Sequence, residues 1–320
     1  MEPSTFAALR RDYEAGTLPR DAYWARAQEL HRGLYGYYDL LRGGPVREIR
    51  IRDGELVVEM EGGLRMGWNP EDRRTVPNML LLHGAYEASE LAVLLAAAEG
   101  AEVVFDIGAN VGWYTLHLAR TMGPAGRVFS FEPMPATFAA LERNVALNGL
   151  GDRVTLNRLG LAEEAGEAEF YVPEETGSVA ASRRQLFQEQ RNQAVRATLD
   201  TLDAFVERSG IERLDVVKCD IEGGELPMLR GGRATLERFR PVVFLEMLRK
   251  WSAAFGYHPN DIIDLMSGLG YRGYALGEGG LEAVERVDES CVHTNFLFLD
   301  DAAHGAARAR VEAALAGKGE

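Results

Sequence analysis

Glycines and carboxylates cluster at strand-to-turn junctions in this sequence of 320 residues, and their types define the chemistry it can do. The run Val103-Val104-Phe105-Asp106-Ile107-Gly108-Ala109-Asn110-Val111-Gly112-Trp113-Tyr114-Thr115 takes an apolar strand into a small-residue turn that opens a helix. At the carboxyl ends of strands in an open α/β sheet, helix N-termini offer unpaired N–H donors to a ligand. Gly108 and Gly112 allow close backbone approach. A dinucleotide fingerprint requires G-x-G-x-x-G. Here the spacing is Gly108-x-x-x-Gly112 with Asn110 in the middle, and Asp106 would repel a pyrophosphate but suit a cationic amino group. About twenty residues on, Phe129-Ser130-Phe131-Glu132-Pro133 ends a second strand in a carboxylate able to accept both hydroxyls of a ribose. Taken singly, these are a tight βα turn and a solvated strand-end acid. Jointly they describe a nucleoside site without a pyrophosphate, the shape of S-adenosylmethionine.

A second group follows at Lys218-Cys219-Asp220-Ile221-Glu222-Gly223-Gly224-Glu225, with Glu246 ending a later strand. Asp220, Glu222 and Glu246 converging on one rim could take a proton from an alcohol, orient an acceptor or hold a hard divalent cation such as magnesium. No tight ligand cluster demands the metal, and transition-metal spacing of Cys and His is absent. The plainer alternatives are equally concrete. Glu222 and Glu225 would favour a helix N-terminus through its dipole, Glu246 could pair with Arg249 or Lys250, and Lys218, on the face of Asp220 by strand alternation, could form a structural ion pair. His258 and His293 fall in C-terminal loops near the expected opening, where either is a candidate base or a solvated loop residue. The polar stretch from Glu174 to Gln193 carries Arg183-Arg184 and has the length of a binding loop; with His258 these are the candidate acceptor contacts.

The elements that must position these groups can be read from periodicity. Residues 4 to about 42 carry apolar positions at helical spacing and stop at Gly43-Gly44-Pro45. Alternation around Asp53-Gly54 predicts a hairpin, with Leu64–Trp68 as a third strand, and Asn69–Asn78 reads as a linker. Beyond it, apolar strands at 103–106, 128–132, 154–157, 214–220 and 242–246 alternate with helices at 114–121, 136–148, 226–239 and 259–269, which implies a parallel sheet covered on both faces. Tyr271–Leu276 and Asn295–Leu299 read as a closing antiparallel pair, and a helical tail starts at Ala302. The expected organisation is an accessory region at 1–80, a ligand-binding domain at 81–300 and a tail at 301–320.

Composition narrows the function classes. Hydrophobic residues at 46% and charged residues at 26% are ordinary globular values. With 35 basic and 49 acidic residues the net charge is −14, which opposes nucleic-acid phosphates. The start lacks a basic leader with an apolar run, and the best apolar run, Leu91–Ala98, falls well short of the roughly 18 residues a membrane span needs. A soluble cytoplasmic protein with no membrane or nucleic-acid partner is expected. Two cysteines, Cys219 and Cys291, suit a reducing compartment. The aromatics Phe6, Tyr13, Tyr23, Trp24, Tyr35, Tyr37 and Tyr38 need a partner surface: the active site, the main domain, or a second copy in a homodimer.

Tyr86-Glu87 before a helix, Asp106-x-Gly-Ala-Asn-x-Gly112, Glu132-Pro133, Asn148, Thr198-Leu199-Asp200, the 218–225 block and Pro241 to Glu246 occur in an order that resembles the FkbM-type S-adenosylmethionine-dependent methyltransferases. The resemblance spans roughly residues 80 to 300, and Lys-x-Asp-x-Glu-Gly-x-Glu is its most specific part. It implies a class I methyltransferase (Rossmann-like) fold of seven strands, the last antiparallel, acting on hydroxyls of sugars, polyketides and related secondary metabolites. Carried over residue by residue, Asp106, Gly108, Ala109, Asn110, Gly112 and Thr115 would serve the methionine end of the cofactor. Glu132 and Pro133 would serve the ribose; Met134, Gly160 and Leu161 would flank the adenine. Glu87 would meet the ammonium, with Asp220 on the shared rim. Leu159-Gly160-Leu161 departs from the family in having no alanine. Asp220, Glu222, Glu246 and Lys218 are the expected catalytic group of an O-methyltransferase. The rival readings are N-methylation, a nicotinamide-dependent oxidoreductase and a non-catalytic binding module.

Overall fold

The computed structural model describes residues 5–52, 54–72, 75–173, 192–277 and 280–317. Its framework is an eight-stranded sheet. Strands β4 (Val103–Ile107), β5 (Arg127–Phe131), β6 (Val154–Asn157), β10 (Val216–Cys219) and β11 (Val242–Glu246) are mutually parallel. Strand β14 (Asn295–Leu299) lies antiparallel between β11 and β12 (Arg272–Gly277), and β13 (Gly280–Val284) closes the edge as a hairpin. The order is β13-β12-β14-β11-β10-β4-β5-β6, which reverses direction at the β4–β10 boundary. Crevices at such a reversal, at the carboxyl ends of the strands, are where open α/β sheets bind ligands.

Side-chain alternation divides the core in two. Val104, Val128, Val216, Val242 and Phe244 face α4 (Ala88–Ala97), α5 (Trp113–Thr121), α6 (Pro135–Leu147) and α12 (Gly305–Ala316). Phe105, Ile107, Phe131, Val217, Cys219, Val243 and Leu245 face α7 (Leu202–Arg208), α8 (Glu225–Gly231), α9 (Arg233–Phe239) and α11 (Pro259–Gly268). Asp106, Ser130 and Lys218 fall on the first face by the same alternation and are all buried. Their charge and polarity must therefore be satisfied inside the protein.

The N-terminal residues form α1 (Phe6–Glu14), α2 (Arg20–Leu41) and an antiparallel sheet of β1 (Val46–Arg52), β2 (Glu55–Met60) and β3 (Arg65–Gly67). This small sheet is tied to α6 by two asparagines. The Asn148 side chain accepts from the Arg65 N–H (2.9 Å) and donates to its carbonyl (2.7 Å). Asn144 accepts from the Gly67 N–H and donates to the Val111 carbonyl, both at 2.8 Å, and so links β3 to the glycine turn. Val46, Val58, Met60 and Met66 join the main core. Helix α2 buries Ala27 and leaves Trp24, Tyr35 and Tyr38 exposed.

Several elements differ from the sequence expectation. The N-terminal helix is two helices, because Gly16 turns at φ +72° and Pro19 precedes α2. The linker is shorter, since α3 (Val76–His83) begins within it and takes Pro77 in its first turn, where no N–H is needed. The 226–239 helix divides at Gly232, where a Cβ would come within 2.5 Å of Leu202. The closing antiparallel pair is not the edge: β14 is inserted inside, and β13 adds an eighth strand. A third sheet, β7 (Gly160–Leu161), β9 (Asn192–Asp200) and β8 (Gly166–Pro173), is additional to the expected elements, although β8 and β9 alternate. The short α10 (Arg249–Ala254) is additional too. Among the described residues, no helix is long and apolar enough to cross a membrane.

Candidate active site

The carboxyl ends of β4, β5 and β10 open into a cavity, the place where open α/β sheets bind small molecules. Two turns meet at its floor. Gly108 has φ +76°, and a Cβ there would lie 1.9 Å from the Asp220 carbonyl oxygen, so the β4 and β10 turns interlock only with glycine at this position. The turn after β4 is held from beneath: the Gly108 and Ala109 N–H groups donate to the Phe131 carbonyl, and the Gly108 carbonyl accepts from Lys218 Nζ at 3.0 Å.

Three non-glycine residues lining the cavity, Glu87, Asn110 and Glu222, have left-handed φ values of 44°, 51° and 54°. Among the described residues one other non-glycine does, Arg240, at the end of α9. Such conformations persist only where surrounding contacts over-determine them, and they concentrate at functional sites.

The charged groups form four sets. Lys218, at the cavity lining, pairs with Asp106 behind it, Nζ to Oδ1 at 3.4 Å, and Asp106 Oδ2 accepts from Thr115 Oγ1 at 2.6 Å. Burial alone would depress the Lys218 ammonium, but the carboxylates of Asp106, Asp220 and Glu87 raise it above its ordinary value. Glu132 accepts from the Asn110 N–H at 3.1 Å and the Met134 N–H at 2.8 Å. Burial pushes its pKa up to about 7, against the opposing pull of those two N–H donors. Glu87 accepts from Tyr114 Oη at 2.7 Å, with burial raising its carboxyl.

At the β10 turn, burial and the neighbouring Asp220 and Glu222 carboxylates push Glu246 up to about 10; Glu246 also shares a hydrogen bond with Asp220. The pair thus holds a proton at neutral pH, the behaviour of two carboxyls that cannot both ionise. Among the described residues, no group of three or more His, Cys, Asp or Glu side chains is arranged to hold a metal ion.

Of the residues expected from sequence, Glu87, Gly108, Ala109, Asn110, Glu132, Pro133, Met134, Gly160, Leu161, Lys218, Asp220 and Glu222 line this one cavity. Glu246 does not line it and shares a hydrogen bond with Asp220. Asp106 and Thr115 do not line it; both are completely buried and bonded to each other beneath it. Gly112 is the N-cap of α5 at φ +98°, against Leu141. His258 caps α11, its Nδ1 accepting from the Asn260 N–H in a reciprocal box with Asp261, so its ring is committed to the helix. His293 does not line the cavity either; its Nε2 lies 3.6 Å from Glu282. Glu246 has Asp220, not Arg249, as its partner, for Arg249 is bound to carbonyls at 288 and 289. Arg183 and Arg184 lie outside the described residues.

Sequence reasoning missed an apolar wall. Phe170 and Leu199 come from the third sheet and Phe255 from the end of α10. The period-2 pattern of 166–173 was the available signal for Phe170. Trp113 and Tyr86 sit inside the sequence motifs without a role assigned by them; their rings cross edge to face at 5.8 Å on the cavity wall.

The family model described as the methyltransferase FkbM domain matches residues 106–272. Among curated proteins, Methyltransferase sdnD of Sordaria araneosa is 29% identical over 154 residues, covering 40% of this chain and 59% of that protein. Hexuronic acid methyltransferase AglP of Haloferax volcanii is 28% identical over 181 residues, covering 57% and 68%. The 2-O-methyltransferase NoeI of Sinorhizobium fredii is 25% identical over 150 residues, covering 43% and 60%. The chain thus spans only about three fifths of the length of several relatives it matches, sdnD and NoeI among them. Solved structures superpose loosely: the O-methyltransferase TomG of Streptomyces achromogenes aligns at a TM-score of 0.40 and 16% identity, over 67% of this chain and 80% of that one. With a family model spanning more than half its length, from Asp106 on β4 to Arg272 on β12, the chain belongs to the FkbM methyltransferase domain family.

Proposed function

We propose that the protein is an S-adenosylmethionine-dependent O-methyltransferase acting on a hydroxyl of a small molecule such as a sugar or polyketide. The observation that carries this reading is the convergence of Glu132, the Gly108 turn and the Asp220–Glu246 pair on one cavity floor. The donor set fits the cofactor. Glu132, at the tip of β5, would accept the ribose hydroxyls, and Phe131, Met134, Leu161 and Phe170 offer an apolar slot for the base. Glu87 would accept the ammonium and the 108–112 turn the carboxylate end. When bound, the group supplies an electrophilic methyl carbon on a sulfonium.

The chain's own residues then have two tasks. The first is to hold an acceptor oxygen in line; orientation of this kind contributes roughly 7–11 kcal/mol. The second is to take the hydroxyl proton. Glu246, pushed up to about 10 and sharing a hydrogen bond with Asp220, would orient the Asp220 carboxyl, which lines the cavity and would take the incoming proton. A positioned base contributes about 10²–10⁴-fold. Phe255, Trp113 and Tyr86 keep the floor away from water. The name of AglP, a hexuronic acid methyltransferase, supports a sugar-like acceptor, and that of NoeI, a 2-O-methyltransferase, supports transfer to oxygen.

Calorimetric titration with S-adenosylmethionine and S-adenosylhomocysteine tests the cofactor half. A labelled methyl donor supplied with a methyl hexopyranoside, methyl β-D-glucuronide and a hydroxylated macrolide, with and without magnesium, tests the acceptor half. Binding with transfer to oxygen is expected. No binding of either cofactor form at millimolar concentration would overturn the proposal.

A further inference from the structure

Glu225 is the one carboxylate of the 218–225 block that points away from the cavity. It is 2% exposed, the first residue of α8, and absent from the cavity lining. One oxygen accepts from the backbone N–H of Ile221 at 3.0 Å and of Gly223 at 3.2 Å. The other accepts from Tyr257 Oη at 3.1 Å. Between the two bonded amides stands Glu222 at φ +54°, followed by Gly223 at φ +98°. Glu225 therefore closes a ring around the turn that presents Asp220 and Glu222 to the cavity.

The ring is backed from a second side. A Cβ on Gly223 would lie 2.7 Å from the Phe255 ring and 2.9 Å from the Trp251 carbonyl, so the 251–257 segment packs directly on this turn. Tyr257 belongs to the same segment and anchors Glu225 from behind, while Phe255 lines the cavity in front. A helix-dipole role needs none of this. A carboxylate serving only the dipole would be solvated near the first turn, whereas this one is buried with three protein donors.

We propose that Glu225 is a positioning residue: with Tyr257 behind it, its carboxylate holds the 220–224 turn in the left-handed form that aims Asp220 and Glu222 at the methyl acceptor. The inference rests on the methyl-transfer reading for its effect on turnover, but the clamp itself is a property of the fold. Because the groups assigned to the cofactor's ribose and methionine end, Glu132, Glu87 and the 108–112 turn, lie outside the 220–224 turn, loss of the clamp leaves cofactor affinity intact and removes turnover.

The test compares Glu225→Ala, Glu225→Gln and Tyr257→Phe with the parent protein. Three quantities are measured: S-adenosylhomocysteine affinity by calorimetry, amide hydrogen exchange by peptide, and labelled methyl transfer to the acceptors above. In Glu225→Ala, exchange of the 220–224 peptide rises about 10–100-fold, as expected for losing hydrogen bonds to a charged group, while β4 and α5 peptides are unchanged. Turnover falls about 100-fold, the cost of a misplaced reacting group, and affinity stays within about threefold. Glu225→Gln, whose amide oxygen still accepts both N–H groups, restores the protection and most of the turnover. Tyr257→Phe shows the same pattern in weaker form and serves where the alanine variant does not fold.

Unchanged exchange at 220–224 in the alanine variant would overturn the proposal, as would a glutamine variant that restores nothing. So would loosening of every peptide together, which would make Glu225 a general core residue. Failure of the parent protein to bind S-adenosylhomocysteine sinks the methyl-transfer reading instead, and the exchange result still decides the clamp.

Discussion

Lys218 and Asp106 stand directly opposite each other on adjacent parallel strands, with 3.4 Å between ammonium and carboxylate and side chains 3% and 0% exposed. Neither reaches solvent, so each charge depends on the other and on fixed dipoles. Lys218 also donates to the Gly108 carbonyl and lies over the Tyr114 ring at 5.0 Å, while Asp106 accepts from Thr115. The pair joins the two strands whose turns form the cavity floor. Lys218 lies at the cavity lining and Asp106 is buried beneath it.

Replacing one partner should therefore cost more than replacing both. Lys218→Met leaves Asp106 buried without its counter-charge, for which about 3–5 kcal/mol of destabilisation is expected. The double variant Lys218→Met with Asp106→Leu should recover a large part of that loss. Urea denaturation of the two single variants and the double variant checks this; equal or additive losses would contradict it.

Gly108 separates conformational from steric demand. Gly100, at φ +79°, has nothing within 4 Å of the position a methyl would take, whereas Gly108 at φ +76° would drive one to 1.9 Å from the Asp220 carbonyl. Gly100→Ala should cost only the left-handed penalty, about 1–2 kcal/mol. Gly108→Ala must push the two turns apart, so it should lose more stability and bind S-adenosylhomocysteine at least about tenfold more weakly, a change of about 1.4 kcal/mol. Denaturation midpoints and calorimetry on the two variants distinguish the contributions.

The legible parts of the sequence were those governed by local rules. Strand period, the Asp53-Gly54 turn and the glycine spacing at 108 and 112 each report on their own neighbourhood, and the parallel core follows from them. Asp106 was legible as a carboxylate at a strand end but not as a buried one, because its burial comes from Thr115 and Lys218, 9 and 112 residues away. The cap that His258 gives α11 was not legible, because it depends on the backbone at Asn260 and Asp261, which composition does not reveal. The Phe170 and Leu199 wall required a pairing between β8 and β9 across an intervening segment, a non-local contact that periodicity alone cannot register.

Accepting ribose hydroxyls at Glu132 would make cofactor binding pH-dependent. Burial raises its carboxyl to about 7 from an ordinary 4.5. The folded protein therefore binds more protons than the unfolded chain between those values, and this group's contribution to stability falls as pH rises from about 4.5 to 7 and is level above. Ribose hydroxyls donate to a carboxylate and not to the protonated acid, so affinity should move the opposite way, rising as pH climbs through about 7. Calorimetric titration with S-adenosylhomocysteine from pH 5.5 to 8.5 reads this directly, the range being about 1.5 units either side of the transition. Glu132→Gln should bind more weakly with that slope removed; a persistent slope would assign it to another group.

The Asp220–Glu246 pair gives the sharpest division between the two halves of the site. Asp220→Asn removes the lone pairs that would take the acceptor proton, and turnover should fall about 10²–10⁴-fold while cofactor affinity changes little. Glu246→Gln keeps a donor facing Asp220, since the amide N–H replaces the carboxyl O–H, and its loss should be below about tenfold. The pH profile separates them further. Glu246 is raised to about 10 by burial and by Asp220 and Glu222, so it stays protonated through neutral pH and ionises only on the alkaline side. Its ionisation puts a second negative charge against Asp220 and removes the donor that orients it. Turnover of the parent protein should therefore decline as pH approaches 10, and Glu246→Gln should remain active there. Near-normal turnover in Asp220→Asn would move the proton acceptor to Glu222, the other carboxylate lining the same floor.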